Sequence, residues 1–296
     1  MSPVETGLRI QVQNILFATN FSPAAAAALP YALAFARCYG AKLFVGHAVP
    51  PEPHLGVPMA HLPTEIDPYW PGARRRMEEF TRGDALRQVQ YEVLMQGGDL
   101  WEVLAEMIKL HAIDFLVLGT HGRQGLKKLV LGSSAERIFR MADCPVLTVG
   151  PKAAHPDVKF ESFKHILFAT DFSPASLQAL PYALSMAEEN RSYLTLLHLA
   201  ALAPTGQSQY SVRVVAMHDL QSLLPRDANA WCQPTLLVRF EFPPDGILRA
   251  AAEQKADLIV MGAHKTAAPR AAAHVPWDIA YEVVCDAPCP VLTVRG

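Results

Sequence analysis

Hydrophobic positions along the chain fall into two alternating rhythms. Short, nearly continuous apolar runs, such as Phe115-Leu116-Val117-Leu118 and Leu258-Ile259-Val260-Met261, are bounded by polar or turn residues. Between them lie longer stretches whose apolar residues recur at helical period. In the first 150 residues the short runs predict strands over 14–19, 42–48, 90–94, 113–118 and 145–149. The longer stretches predict helices over 23–39, 73–87, 100–111 and 133–141. Ser22-Pro23 and Ser173-Pro174 each read as a helix N-cap with proline at the first helical position. Pro30 and Pro181 fall inside the helices that follow, where a missing N–H and a ring clash predict a kink. Strands alternating with crossover helices give an α/β fold: a parallel sheet covered by helices on both faces. Uninterrupted apolar strands fit burial on both sides. In such open sheets ligands bind beyond the carboxyl ends of the strands, where strand order reverses.

The pattern occurs twice. Residues 15–24, Ile-Leu-Phe-Ala-Thr-Asn-Phe-Ser-Pro-Ala, return at 166–175 with one change, Asn20 to Asp171. Leu29-Pro30-Tyr31-Ala32-Leu33 matches Leu180-Pro181-Tyr182-Ala183-Leu184, and His47 matches His198, at the same offset. Cys144-Pro145-Val146-Leu147-Thr148-Val149 returns as Cys289-Pro290-Val291-Leu292-Thr293-Val294. A tandem repeat of one domain follows: residues 1–150, a linker over 151–163 containing Pro151 and Pro156, and residues 164–296.

Composition narrows the class. The 296 residues are 51% hydrophobic and 18% charged, enough for packed cores and against a disordered chain. Lys and Arg number 26 against 28 Asp and Glu, a net charge of −2 that offers no basic excess for nucleic acid. The longest apolar stretch, 24–36, falls short of the ~20 residues of a membrane span and contains Pro30. The first residues lack the basic-then-apolar order of a signal peptide. Five cysteines, an odd and low number, do not suggest a disulfide framework. A cytoplasmic two-domain protein is the expectation.

The chemistry follows strand four. In the first repeat that strand ends in Gly119-Thr120-His121-Gly122, and after nine further residues Gly132-Ser133-Ser134 opens a helix. Glycines let backbone approach a ligand closely. The N–H groups at the start of a helix, its dipole and two serine hydroxyls suit a phosphate chain.

At these residues the chain resembles the universal stress protein family over nearly its whole length, as two tandem copies. The resemblance rests on the opening Ile-Leu-Phe-Ala-Thr-(Asn/Asp)-Phe-Ser, the Gly119-x2-Gly122-x9-Gly132-Ser133 loop and the closing Cys-Pro-Val-Leu-Thr-Val strands. It implies two five-stranded parallel sheets of order 3-2-1-4-5, each sandwiched by helices. Some members bind ATP through the glycine loop, and others lack it. By position, Gly119, Gly122, Gly132, Ser133 and Ser134 would hold phosphates. Ala18, Thr19 and Ala48 would line the adenine and ribose pocket, and Arg123 would neutralise phosphate charge, with Lys127 and Lys128 open to the same role. The family's aspartate at the end of strand one falls on Asn20. Asparagine keeps an acceptor but loses the charge that would help hold Mg²⁺, so weaker metal dependence is expected. Fusion of two copies would also let the last strands, 146–149 and 291–294, pair within one chain. Further homo-oligomerisation stays open.

The second repeat departs from the loop pattern. It has Asp171, but strand four runs into Gly262-Ala263-His264-Lys265, and Trp277-Asp278-Ile279 replaces Gly-Ser-Ser. A carboxylate where phosphate would sit repels it, so conventional ATP binding is expected only in residues 1–150. The second copy is then a structural or partner-binding half.

Other constellations carry less. His121 and His264 have no nearby carboxylate in sequence to orient them, so no catalytic residue is assigned. Cys285-x3-Cys289 lacks the further soft ligands of a zinc site, and no metal site is assigned. His47 and His198 read as structural. The segment 50–71 is too proline-rich for a helix and reads as a long connection, a lid or an arm. Arg74-Arg75-Arg76 reads as a solvated helix face. Three functions stay open: an adenine-nucleotide-binding stress-response module, a slow ATP hydrolase or phosphotransferase at the same loop, and a nucleotide-free scaffold or binder of another small ligand.

Overall fold

The computed structural model describes residues 10–50, 69–120, 137–138, 141–153, 162–200, 208–263 and 277–296. In the first half, β1 (Asn14–Ala18), β2 (Lys42–Val49), β3 (Tyr91–Gly97), β4 (Phe115–Gly119) and β5 (Val146–Val149) alternate with α1 (Pro23–Tyr39), α2 (Tyr69–Thr81) and α3 (Leu100–Leu110). In the second, β6 (His165–Thr170), β7 (Tyr193–Leu199), β8 (Gln233–Arg239), β9 (Leu258–Ala263) and β10 (Val291–Arg295) alternate with α4 (Pro174–Asn190), α5 (Gln209–Ser222), a short α6 (Ala228–Trp231), α7 (Pro243–Glu253) and α8 (Trp277–Asp286).

All ten strands form one sheet, in the order β3-β2-β1-β4-β5-β10-β9-β6-β7-β8. Each half is parallel throughout with order 3-2-1-4-5, so strand order reverses between β1 and β4, and again between β6 and β9. The halves meet in an antiparallel pair, with Leu147 opposite Leu292. Around it the Thr293 hydroxyl donates to the Val146 carbonyl at 3.3 Å, and Lys152 and Asp286 form an ion pair at 2.6 Å. On one face of the sheet α1 and α4 cover a single core that crosses the junction, with Phe35, Phe115 and Phe163 beside Leu147, Leu292 and Met186. The opposite face carries two separate cores, one per half.

Local sequence explains the helix boundaries. Ser22 accepts the Ala25 N–H and Ser173 the Ser176 N–H, capping α1 and α4 with proline in the first turn. Helix α1 ends on Gly40 at φ 64°, the left-handed conformation glycine adopts most easily. Pro30 and Pro181 lie within helices that continue past them, so neither proline ends its helix. Helix α2 differs from the sequence expectation. It starts at Tyr69, four residues before the expected 73, because Pro71 falls in the first turn, where its missing N–H costs nothing. It stops at Thr81, whose hydroxyl folds back to the Met77 carbonyl at 2.8 Å, and a separate 3₁₀ turn follows at Leu86–Gln88. Strand β3 runs on to Gly97, beyond the expected 94. The rest of the proline-rich connection, 51–68, lies outside the described residues. Among the described residues no helix is long and apolar enough to cross a membrane.

Candidate functional site

The turn after the first strand of each half is built twice to one plan. Phe21 and Phe172 sit at φ 60° and 62°, a left-handed conformation costly for a bulky side chain. Hydrogen bonds on both sides hold it. The Thr19 hydroxyl accepts the Phe21 N–H at 3.0 Å and Asn20 Oδ1 accepts the Ser22 N–H at 3.1 Å. In the second half Thr170 and Asp171 do the same for Phe172 and Ser173, at 2.9 and 3.0 Å. Either an amide or a carboxylate oxygen can close this turn, so the one difference between the decapeptides leaves the turn intact.

The histidines at the ends of β2 and β7 brace the same turns. His47 Nδ1 lies 2.8 Å from the Thr19 carbonyl and His198 Nδ1 2.9 Å from that of Thr170. Each ring packs against the strained phenylalanine, at 4.4 and 4.5 Å between centroids. Burial pushes the His47 pKa down and the positive charge of Arg76 adds to that, against the opposing hydrogen bond to Thr19.

Of the residues expected to form a site, Ala18, Thr19, Asn20, Ala48 and Gly119 gather at the carboxyl ends of three adjacent strands. Gly119 is glycine for a local reason as well. A Cβ there would collide with the Ala24 carbonyl, and at Gly262 it would stand 2.5 Å from Ala175 and Ser176 backbone. The strand end thus touches the start of α1 or α4 backbone to backbone. Thr120 is buried and donates its N–H to the Val149 carbonyl at 2.9 Å. Gly122, Arg123, Gly132, Ser133 and Ser134 lie outside the described residues, as do His121, Lys127 and Lys128. So do His264, Lys265 and the side chains of Trp277 and Asp278.

One residue the sequence did not single out is Arg76. Helix α2 carries it to a shallow depression lined also by Asn20, Phe21, Glu79 and Phe80, at the rim of the first-half site. Its sequence neighbours Arg74 and Arg75 are exposed on the same helix, so the Arg-Arg-Arg run could not reveal which member faces the strand ends.

The second half holds a half-open cleft at the matching place, about 210 Å³, beyond the ends of β6, β7 and β9. Thr170, Asp171, Ser173 and Ser176 line one end, and Leu197, Leu199, Ile247, Met261 and Ile279 the other. Thr170 and Ser173 repeat Thr19 and Ser22, but Ser176, Leu197 and Leu199 stand where the repeat places Ala25, Gly46 and Ala48. Four of the five cysteines, Cys144, Cys232, Cys285 and Cys289, are buried, and Cys38 is exposed. Burial raises the thiol of Cys144 to about 12, that of Cys232 to about 11 and that of Cys289 further.

Comparison with known proteins adds the family. The model of the universal stress protein family matches residues 11–150 and again residues 162–295. The chain belongs to this family. A universal stress protein of Thermus aquaticus is 33% identical over 144 residues, 46% of this chain and 98% of its own length. One of Methanocaldococcus jannaschii is 26% identical over 147 residues, 46% of this chain and 81% of its own. Among solved structures, a universal stress protein of Archaeoglobus fulgidus superposes with a TM-score of 0.70 at 19% identity, covering 97% of this chain and 99% of that one. At that identity the last likeness speaks for the fold alone. These two curated relatives each align with about half of this chain, and the archaeal structure covers nearly all of it.

Proposed function

We propose that the first half, residues 1–150, holds an adenine nucleotide, ATP foremost, and that the chain acts as a cytoplasmic nucleotide-binding stress-response module. The observation that carries this reading is the place of Gly119. It ends β4 beside the end of β1, at the reversal of strand order, and opens the sequence Gly119-x2-Gly122-x9-Gly132-Ser133-Ser134. The backbone at Ala18, Thr19 and Ala48 lines the base and ribose. Gly122, Gly132, Ser133 and Ser134 hold phosphates through N–H and hydroxyl donors, with Arg123 balancing charge. Arg76 stands at the rim, where a polyphosphate gains from it. Asn20 already accepts the Ser22 N–H and brings no charge, so Mg²⁺ adds little to affinity.

In this reading the second half is the structural partner. Pairing of β5 with β10 covers what would otherwise be two exposed strand edges, keeping residues 164–296 attached as one unit. Slow hydrolysis or phosphotransfer is the rival at the same loop. Native mass spectrometry with saturating ATP should find one nucleotide per chain, lost in Gly122→Lys. Two per chain, or none, would reject the reading. Release of ADP by the wild type but not by Gly122→Lys would move it to the enzyme.

A further inference from the structure

The two halves leave their last strands differently, and the difference reaches a helix of the first half. Val149 and Val294 match in the repeat, so Gly150 and Arg295 occupy the same place. A Cβ on Gly150 would stand 2.4 Å from the Val284 carbonyl, so the first half presents bare backbone to α8. The second half instead sends a side chain across the junction. Arg295 Nη1 donates to the Ala142 carbonyl at 3.3 Å, between residues 153 apart in the chain. Ala142 follows the end of a helix: residues 137, 138 and 141 are helical, and the Ala142 N–H donates to the Ile138 carbonyl at 2.9 Å. Burial pushes the Arg295 pKa down and Asp143 opposes this, but a guanidinium keeps its charge at neutral pH.

This helix is the one that Gly132-Ser133-Ser134 precedes in the sequence. A helix that meets phosphate with its first N–H groups has to be held at its other end. Three holds are described. Ile138 and Ala142 are buried in the core of the first half, Arg137 pairs with Asp99 at 2.9 Å, and Arg295 takes the carbonyl end. The first two belong to the first half, and the third comes from the second. A cation at a helix C-terminus also offsets the partial negative charge there, which favours an anion at the opposite end. Over 133–141 the two ends are only about 13 Å apart. We propose that Arg295 is a positioning residue for the nucleotide site of the first half: through the Ala142 carbonyl, the second half fixes the phosphate-binding helix of the first. The inference rests on the nucleotide reading above, and it gives the second half a part in binding although its own loop departs from the pattern. In the second half, where Trp277-Asp278-Ile279 replaces Gly-Ser-Ser, α8 meets the Gly150 backbone at the corresponding place, and Lys152 goes to the Asp286 carboxylate.

Calorimetric titration of the full chain with ATP tests the coupling. Arg295→Met, which keeps an apolar stem without the charge, should weaken ATP binding about fivefold. Arg295→Lys should recover most of that loss. Lys152→Met, which removes a cation from the α8 side of the same junction, should leave the affinity unchanged. Hydrogen exchange without nucleotide gives an independent readout: residues 137–142 should exchange faster in Arg295→Met, while β1 and β6 keep their protection. An Arg295→Met variant that binds ATP as the wild type does, or exchanges as the wild type does over 137–142, would overturn the assignment. So would a loss that Arg295→Lys does not recover, or one shared by Lys152→Met, since either marks a general loosening of the junction. Failure of the wild type to bind ATP would instead reject the nucleotide reading, and with it this role of Arg295.

Discussion

The first half carries Ala48 on β2 and Val103 on α3. The second carries Leu199 on β7 and Gly246 on α7 at the same places. The exchange is steric. A Cβ on Gly246 would stand 2.8 and 2.9 Å from the two methyls of Leu199, so the larger strand residue requires the smaller helix residue. Two residues back on β2, a Cβ on Gly46 would stand 2.7 Å from Leu16 Cδ1 and 3.3 Å from the Met107 sulfur, whereas the second half has Leu197 there and Ala250 at the place of Met107. The caps diverge too. Asp99 accepts the Trp101 and Glu102 N–H groups and pairs with Arg137 at 2.9 Å, while Phe242 in its place caps nothing through its side chain. The opening turn, by contrast, is closed by the same side-chain-to-backbone hydrogen bonds in both halves, with Ser176 adding hydroxyl bonds in the second that Ala25 cannot make in the first. The duplicated scaffold is kept where backbone closes on backbone, and it diverges where side chains surround the strand ends.

The largest effect is expected where the comparison ends, at the pair that joins the halves. Leu147 is fully buried opposite Leu292, between β4 and β10. Leu147→Pro removes an N–H in a central strand and forces its ring against neighbours, a loss of about 3 kcal/mol or more. The core on the α1 and α4 face runs unbroken across the junction, so both halves should lose stability together. Denaturant melts followed by hydrogen exchange should therefore show lowered protection on β1 and on β6 alike. Loss confined to β1, β4 and β5 would mean that the halves are independent and the pairing is incidental.

How far the sequence carries depends on the distance over which each feature is decided. The parallel sheet of each half and the capped starts of α1 and α4 follow from local period, from Ser-Pro pairs and from a repeat visible along the chain, whereas the 3-2-1-4-5 order comes only with the resemblance to the universal stress protein family. Helix α2 was harder, because Pro71 reads as a breaker until its place in the first turn is known. The role of Arg76 depends on the rotation of α2 against strands 30 to 60 residues away in the chain. The left-handed Phe21 and Phe172 leave no mark in composition, since phenylalanine is unusual there. The cavity of the second half was hidden for a related reason. Leu197 and Leu199 read as ordinary strand residues, and only the packing of α7 and α8 beside them creates the cleft.

The steric exchange can be run backwards. Gly246→Val should destabilise the chain by about 1–3 kcal/mol, because the new side chain overlaps Leu199 in a packed interior. Leu199→Ala alone should also destabilise, through the space it leaves. Combined, the two changes restore the Ala48 and Val103 pair of the first half, so their effects should be far from additive. A double-mutant cycle by urea denaturation should return a favourable coupling of about 1 kcal/mol or more. Strict additivity would show that the two positions do not share space, and that the difference between the halves at this point is chance.

The smallest expected effect separates the histidines from the rest of the turn by their charge. His47 has its folded pKa pushed below the ordinary 6.5 by burial, with Arg76 adding to it. A depressed histidine favours the neutral ring in the folded state, so its contribution to stability is fully present above 6.5 and is lost as pH falls through the lower folded value. His165 is shifted the same way, first by burial, with Asp257 opposing. The melting temperature should therefore decline between pH 7.5 and pH 5. The decline should be shallower in Arg76→Ala, where protonated His47 meets one positive charge fewer, and shallower still in His47→Gln. An unchanged slope in His47→Gln would mean that the ring takes its proton without loss of stability. The brace at the first turn would then be a contact of shape alone, with the burial of the imidazole and the charge of Arg76 immaterial to it.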